Sequence, residues 1–347
     1  MPHAPGTNRM NLAAGLARDT AIRTDTNLVV VKNENHWDAA NTQIDKVVFY
    51  PIDDQAASVR RFEAKEMDLV YNFSADQIDR LKESYGEQVR VSPSASTYYY
   101  VFDTRQEPYS DVRVRQALSM AVDRDFLAEE IYSGAQLPTY SLVPDGLGGY
   151  AAAKADFAEM SQLDREDKAI ELMKEAGYEK GFKMSFISPA ARYVNDVKIA
   201  QAVSAMLAKI NIKVDLKTMP VAQYWPEFDK CAADMQLIGW HSDTEDSANF
   251  FEFLTFTKDA KTGMGQYNCG GYANAEADKM VMEANTETDP AKRAAILQKV
   301  EAMLIDDAAY VPLHWEDLAY GAKKNVDIKP VVNVMNFPYL GDLVVNK

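Results

Sequence analysis

Basic stretches, histidines, cysteines and long apolar runs are all scarce in this sequence, and each shortage removes a class of function. Lys and Arg total 37 against 52 Asp and Glu, a formal net charge of −15. Lys323-Lys324 stands alone, and Arg60-Arg61 lies among charges of both signs. Nucleic-acid binders draw most of their affinity from cations set against phosphates, so nucleic acid is not an expected partner. No apolar run approaches the roughly 20 residues that cross a bilayer. Leu12-Ala13-Ala14-Gly15-Leu16-Ala17 also falls short of the apolar stretch of about 7–15 residues in a secretory signal.

Chemistry-bearing motifs are missing too. The four histidines, His3, His36, His241 and His314, are scattered, and none begins a His-Glu-x-x-His pair. His314-Trp315-Glu316 lacks the Pro-Cys-x-x-Cys partner of a zinc deaminase. Gly263-Met264-Gly265 is followed by Gly270 instead of the third glycine of a dinucleotide fingerprint, and it follows no strand–helix turn. There is no phosphate loop and no Gly-x-Ser-x-Gly elbow. No metal and no cofactor are therefore expected. Cys231 and Cys269, 38 positions apart, match no zinc spacing. Two unpaired thiols are the plainer reading and a single disulfide is the alternative, which leaves the redox compartment open.

What is present belongs to a globular protein. The 347 residues are 47% hydrophobic and 26% charged, enough for two domains with their own cores. Residues 1–26 carry no strong period and read as irregular. Residues 28–31 and 47–52 read as strands, the latter apolar on both faces. Asp53-Asp54 caps a helix to about Ala64, with Val59 and Phe62 on one face. A short strand at 68–71 precedes a helix from 74 to 85, with Ser74 at its N-cap and Ile78 and Leu81 inward. Strands follow at 89–91 and 97–104, then two helices between Asp111 and Tyr132. Residues 133–160 are rich in Gly, Pro, Ser and Tyr, which marks a domain junction or an exposed loop.

Beyond that stretch, a helix from Asp164 ends at Gly177, suited to a left-handed cap. Residues 183–188, 195–210 and 212–218 form a strand–helix–strand unit whose strands are expected to be parallel. A strand at 234–240 ends at the polar loop 242–246. Pro290 opens a helix to about Asp306, capped by Asp289. Alternation of this kind predicts an α/β fold of layered sheets and helices.

Ligands of α/β proteins bind beyond the carboxyl ends of strands, in clefts walled by aromatics with a few placed polar groups. Tyr98-Tyr99-Tyr100 with Phe102, and Trp240 before its acidic loop, are the candidates for such walls. Alternate strand residues must face inward, so the tyrosine run serves a core equally well. Asp243, Glu245 and Asp246 also invite a glycosidase reading. That chemistry needs two carboxylates facing each other across roughly 5–9.5 Å, which neighbours on one loop seldom achieve. A non-enzymatic binding protein is the expectation, with a carboxylate-dependent hydrolase as the rival of another class.

Several stretches carry a family resemblance. Asp111-Val112-Arg113-Val114-Arg115-Gln116-Ala117-Leu118-Ser119-Met120-Ala121-Val122-Asp123-Arg124 is the longest. Phe49-Tyr50-Pro51-Ile52-Asp53-Asp54, Arg61-Phe62-Glu63-Ala64-Lys65-Glu66-Met67-Asp68, Tyr98-Tyr99-Tyr100-Val101-Phe102-Asp103-Thr104 and Gly239-Trp240-His241-Ser242-Asp243 accompany it. So do Asn33-Glu34-Asn35-His36-Trp37-Asp38 and Gly271-Tyr272-Ala273-Asn274. From about residue 27 onward the chain resembles the oligopeptide- and dipeptide-binding proteins of ABC importers, family 5 of the extracytoplasmic solute-binding proteins.

The resemblance implies a periplasmic-binding-protein-like α/β fold with two lobes, the first incomplete because the chain begins well inside the family's length. On that basis residues 1–26 are an unmatched segment, 27–140 a partial first lobe, 141–325 the second lobe, and 326–347 a return toward the first. It implies a periplasmic monomer that takes a peptide between its lobes and delivers it to a membrane permease. The alternative is a remnant of such a protein that is neither exported nor able to bind.

By the same resemblance, Asp243 pairs with the ligand's α-amino group and Trp240 supplies the aromatic wall, with Tyr99 and Asp103 as further ligand-binding residues. Three departures leave the solute open, cationic and non-peptide solutes included. The loop reads Thr244-Glu245-Asp246-Ser247 where Tyr-x-Asp-Pro is usual. Leu237 stands where some members have an arginine for the ligand carboxylate, and Asp103 stands where Asn is common.

Overall fold

A computed structural model describes residues 22–23 and 27–346, apart from 53, 72, 74, 134–135, 191, 329–331 and 336–339. The chain divides into two compact units. One holds the residues up to Ser94 together with those from Asp317, and the other runs from Ala95 to Glu316. Residues 140 and 141 both fall in the second unit, and the chain re-enters the first at Asp317.

The first unit contains an antiparallel sheet of β1 (Ile22–Arg23), β2 (Leu28–Val31) and β3 (Lys46–Phe49). Strand β3 stops short of the expected residue 52, just before Tyr50 and Pro51, and proline has no N–H for a ladder. Helix α1 (Gln55–Glu63) is capped by the Asp54 carboxylate, which accepts from the Ala57 N–H, and it buries Val59 and Phe62. Strand β4 (Leu69–Tyr71) follows, then helix α2 (Ala75–Tyr85), which buries Ile78 and Leu81. The expected cap Ser74 lies outside the described residues.

Strand β5 (Val89–Phe102) is one strand where the pattern suggested two. Pro93 interrupts the pattern but not the strand, because it sits at an exposed position where a missing N–H is tolerated. The chain passes between the units within β5 and again within β10 (Tyr310–Ala322).

The second unit is built on a mixed sheet. Strands β7 (Lys183–Ala190) and β8 (Lys213–Pro220) are parallel, as the strand–helix–strand pattern requires. β7 is also parallel to β9 (Met235–His241), while β9 runs antiparallel to β5. The short β6 (Leu137–Pro138) adds to β10 through His314 and Trp315. One face of the sheet carries Tyr100, Phe102, Met184, Phe186, Met235 and Leu237. These pack against α3 (Val112–Ala121), α5 (Gln162–Glu175) and α6 (Asp196–Ala208). Gly177, with φ of +86°, ends α5 in the left-handed conformation that glycine adopts without strain.

The long family-like stretch from Asp111 to Arg124 is scaffold. Asp111 caps α3 and also pairs with Arg113 at 2.6 Å. Arg115 donates to the carbonyls of Tyr109, Ser110 and Asp307. Arg124 opens α4 (Arg124–Phe126), which runs on as a turn Leu127–Ile131, and is 1% exposed. It donates to the carbonyls of Pro312, Ser119 and Val122 and lies 4.3 Å from the Tyr140 ring. Burial lowers its pKa to about 10.

The turn-rich stretch mixes exposed positions, Asp145 and Gly146 among them, with a buried centre. Glu301 accepts from the Val143 and Ala153 N–H groups at 2.9 and 3.0 Å and from the Tyr150 hydroxyl. This draws Leu142, Val143, Leu147 and Tyr150 inside. Glu301 lies on α10 (Pro290–Asp306), which begins at Pro290 with Asp289 as its cap. Burial raises the pKa of its carboxyl, although those hydrogen bonds work in the opposite direction. The remaining helices are α7 (Val221–Phe228), the turn α8 (Ala248–Phe250) continuing through Phe251–Thr255, and α9 (Ala275–Thr286). In the first unit, β11 (Val326–Asp327) pairs with β12 (Val344–Val345).

The reading of two unpaired thiols is corrected. Cys231 and Cys269 form a disulfide with Cα atoms 5.7 Å apart. The turn after α7 and the segment before Gly270 meet only when the sheet is assembled, so spacing alone does not show the pairing.

Candidate ligand site

Because β7 and β9 are parallel neighbours, with Phe186 level with Met235 and Ile187 with Gln236, their carboxyl ends open on the same edge. That edge of an α/β sheet is where ligands bind. Trp240 is the penultimate residue of β9 and faces Thr97 of β5. Its indole N–H donates to Asn249 Oδ1 at 2.9 Å. Its ring stands 5.7 Å from Phe253 and 5.1 Å from Tyr267. Asn249 and Phe253 are one helical turn apart and so share a face. Together these two rings and the amide hold a half-buried indole in one orientation.

The loop after β9 is anchored at its first residue. Ser242 is fully buried, its N–H donates to the Ala95 carbonyl at 2.8 Å, and its hydroxyl accepts from the Thr244 N–H. With Ser242 pinned inward, Asp243 is exposed. Among the described residues it pairs with no cation. Its charge adds to the rise of the Tyr267 phenol, which burial causes first.

The other acids of the loop have different settings. Asp246 accepts from the Ala248 N–H just before α8 and pairs with Arg293 at 2.7 Å, leaving it a structural part. Glu245 is exposed on the same loop.

The four residues singled out in the sequence are not all brought together. Tyr99 is 1% exposed, sits opposite Ile238, and packs edge-on against Tyr310 at 5.6 Å. Asp103 follows Phe102, which pairs with Met235 at the opposite end of β9 from Trp240. It is bound by Arg105 at 2.7 and 3.0 Å and by Gln106 at 2.7 Å. Burial by itself raises the Asp103 carboxyl, but the Arg105 hydrogen bonds outweigh it and its pKa is lowered.

On the other face of β5, Tyr98 lies opposite Gly239 and meets Tyr193 edge-on at 4.7 Å. Tyr193 accepts the Gly239 N–H at 2.9 Å. A Cβ on Gly239 would stand 2.5 Å from Tyr98 Cε1 and 3.0 Å from Tyr193 Cε1, so these two rings require glycine there. His314 lies between Tyr98 and Tyr132, with ring centroids 4.8 and 4.5 Å away. Neither of its ring nitrogens has a hydrogen-bond partner among the described residues, and burial lowers its pKa to about 3. It is a neutral imidazole in an aromatic setting.

Phe253, Tyr267, Asn249 and Tyr193 were not legible as site residues. Their only sequence signals were an aromatic-rich run and the one-turn spacing of Asn249 and Phe253. Nothing in the sequence pairs these with Trp240.

Comparison with known proteins agrees with this architecture. Residues 20–262 match the bacterial extracellular solute-binding proteins, family 5 middle region. The periplasmic murein peptide-binding protein MppA of Escherichia coli is 31% identical over 293 residues, covering 83% of this chain and 52% of that protein. The periplasmic oligopeptide-binding protein OppA of Salmonella typhimurium is 27% identical over 290 residues, with the same two coverages. The solved structure of the Escherichia coli murein tripeptide binding protein MppA superposes with a TM-score of 0.80 at 28% identity, over 94% of this chain and 63% of that one. The chain spans about half the length of the curated relatives it matches. With the family match running through both strands that carry Tyr99 and Trp240, the chain belongs to the bacterial extracellular solute-binding proteins, family 5.

Proposed function

We propose that this chain is the ligand-binding part of a periplasmic solute-binding protein that takes peptides and passes them to the permease of an ABC importer. The observation that carries the reading is the exposed Asp243 carboxylate, unpaired among the described residues and three residues beyond Trp240, whose indole packs with Phe253 and Tyr267. An ammonium group meets both of its needs there, a counter-charge and an aromatic face. A peptide's α-amino group is such an ammonium. Its backbone would be held by main-chain groups, which tolerate different side chains.

Relatives named as murein peptide-binding and oligopeptide-binding proteins support the peptide class. The Cys231–Cys269 disulfide fits an oxidising compartment such as the periplasm. The protein acts by enclosing its solute as a monomer, and in this reading Tyr99 and Asp103 serve the framework. No bond of the solute is made or broken.

The test is calorimetric titration of tripeptides with free and acetylated amino groups against the wild type and Asp243→Ala. Deleting one side of a buried charge pair costs about 2–5 kcal/mol, so affinity for the free amine is expected to fall at least tenfold. Acetylation should impose the same loss on the wild type and none on the variant. Equal affinities across all four combinations would remove Asp243 from the role.

A further inference from the structure

The loop that carries Asp243 is fastened at both ends, by different means. At its start, Ser242 is buried and tied to the Ala95 carbonyl. At its end, Asp246 Oδ1 accepts from Arg293 Nη1 at 2.7 Å and from the Ala248 N–H at 2.9 Å. Arg293 is itself directed, because its Nε donates at 3.0 Å to the Ala284 carbonyl in the last turn of α9. Its guanidinium thus joins the loop to α9 and to its own helix, α10. The Asp246 N–H donates to Thr244 Oγ1 at 3.3 Å, so a shift of Asp246 is passed to the residue next to Asp243.

Packing adds little at that end. A cavity of about 410 Å³ is lined by Gly148, Asp246, Ser247, Pro290, Arg293 and Ala294, so on that side the ion pair carries Asp246. The turn Leu147–Gly149 meets the loop backbone, since a Cβ on Gly148 would stand 3.5 Å from the Glu245 carbonyl oxygen. Glu301, further along α10, fixes that turn through Val143, Tyr150 and Ala153. Both supports of the loop's far end therefore start from α10.

We infer that Arg293 is a positioning residue for ligand recognition: through Asp246 it holds Asp243 where the ligand's ammonium meets it, without touching the ligand. The inference rests on the peptide-binding reading above and adds to it a residue far outside the Trp240–Asp243 motif. A carboxylate already in place binds without first being ordered, and fixing one freed backbone residue again lowers affinity about fivefold or more. Charge alone predicts a different pattern. Arg293 is a cation paired within three residues of Asp243, so its field opposes an ammonium there, and its removal by charge alone strengthens amine binding, while removal of Asp246 weakens it. Positioning predicts weaker amine binding from either removal, and no further loss when both are removed.

The experiment titrates trialanine and N-acetyl-trialanine by calorimetry into the wild type, Arg293→Met, Arg293→Lys, Asp246→Ser and the double variant Arg293→Met/Asp246→Ser. Serine at 246 still accepts from the Ala248 N–H but is too short to reach Arg293, so the local turn is kept. Circular dichroism checks that each variant is folded. The wild type is expected to prefer the free amine at least tenfold. Arg293→Met and Asp246→Ser should each lower that preference about fivefold or more, and the double variant to the same level. Affinity for the N-acetyl peptide should stay unchanged, and Arg293→Lys should keep part of the preference. A preference unchanged in either single variant, raised in Arg293→Met, or lowered multiplicatively in the double variant overturns the positioning role and leaves the Asp243 reading standing. So does an equal loss of affinity for both peptides, which marks a merely structural pair. A folded wild type that shows no preference for the free amine overturns both.

Discussion

Arg124 offers a direct test of whether the most family-like stretch of the chain is scaffold or ligand contact. Its guanidinium donates to Pro312 O at 2.7 Å, Ser119 O at 2.9 Å, Val122 O at 3.2 Å and Ser119 Oγ at 3.1 Å. In Arg124→Met the chain volume largely remains while every donor is lost. The Ser119 carbonyl keeps the Val122 N–H at 3.4 Å, so the exposed debt falls on Pro312 and Val122. Each buried acceptor left without a donor costs about 1–3 kcal/mol. The cation–π contact with Tyr140 adds about 1–2 kcal/mol. Relief from burying a cation offsets part of this, and a net loss of about 2–4 kcal/mol is expected. That is a large share of the roughly 5–15 kcal/mol by which domains are stable.

Urea unfolding followed by tyrosine and tryptophan fluorescence would read the loss as a midpoint lowered by about 1 M, for a slope of about 3 kcal/mol/M. Arg124→Lys, which keeps the charge but loses the fork, should fall between. Peptide affinity of the folded variant should match the wild type. A midpoint unchanged within error, or an affinity loss without a stability loss, would refute the scaffold assignment.

Gly239→Ala should cost about 1–3 kcal/mol, because its Cβ meets Tyr98 Cε1 at 2.5 Å and both tyrosines must shift. A melting curve and near-ultraviolet dichroism that match the wild type would contradict this. His314, with its pKa lowered from 6.5 to about 3 by burial, gives a pH signature. Between those values the unfolded chain holds a proton that the folded chain does not, so stability falls as pH falls. From pH 7 to 4.5 the loss from this group is about 2–3 kcal/mol, and His314→Phe should be less acid-sensitive by that amount in urea midpoints. Identical acid limbs would show that His314 takes up a proton without cost. Replacing both cysteines by serine reopens a loop of 38 residues and should lower stability by about 2–4 kcal/mol. A wild type whose unfolding midpoint is the same with and without reductant would argue against the bond.

Much of the local structure was readable because its causes are local. The carboxylates of Asp54, Asp111 and Asp289 each cap the helix that follows, and each helix buries the apolar stripe its spacing announces. The parallel pairing of β7 with β8 followed from an intervening helix of sufficient length, as crossover geometry demands. Strand β5 was split on paper because Pro93 is a breaker in most settings, and only its exposed position shows that no donor was needed there. The turn-rich stretch read as a domain junction or an exposed loop because nothing near it in sequence could satisfy the backbone of its buried centre. Glu301, some 150 residues on, does so.

The candidate site divides in the same way. Trp240 and Asp243 were legible through a short motif, since both lie within four residues of one strand end. Their setting was not. The rings of Phe253 and Tyr267 reach the indole from separate segments.

By itself the sequence determined the family, the acidic balance and the short-range elements, because composition and helical or strand period act over a few residues. Tertiary structure alone decided which charges stay unclaimed. Asp103 and Asp246 are neutralised by Arg105 and Arg293, while Asp243 has no such partner among the described residues. The physical reason is that an ion pair depends on distance in space, and the fold sets that distance between loops that the chain keeps far apart.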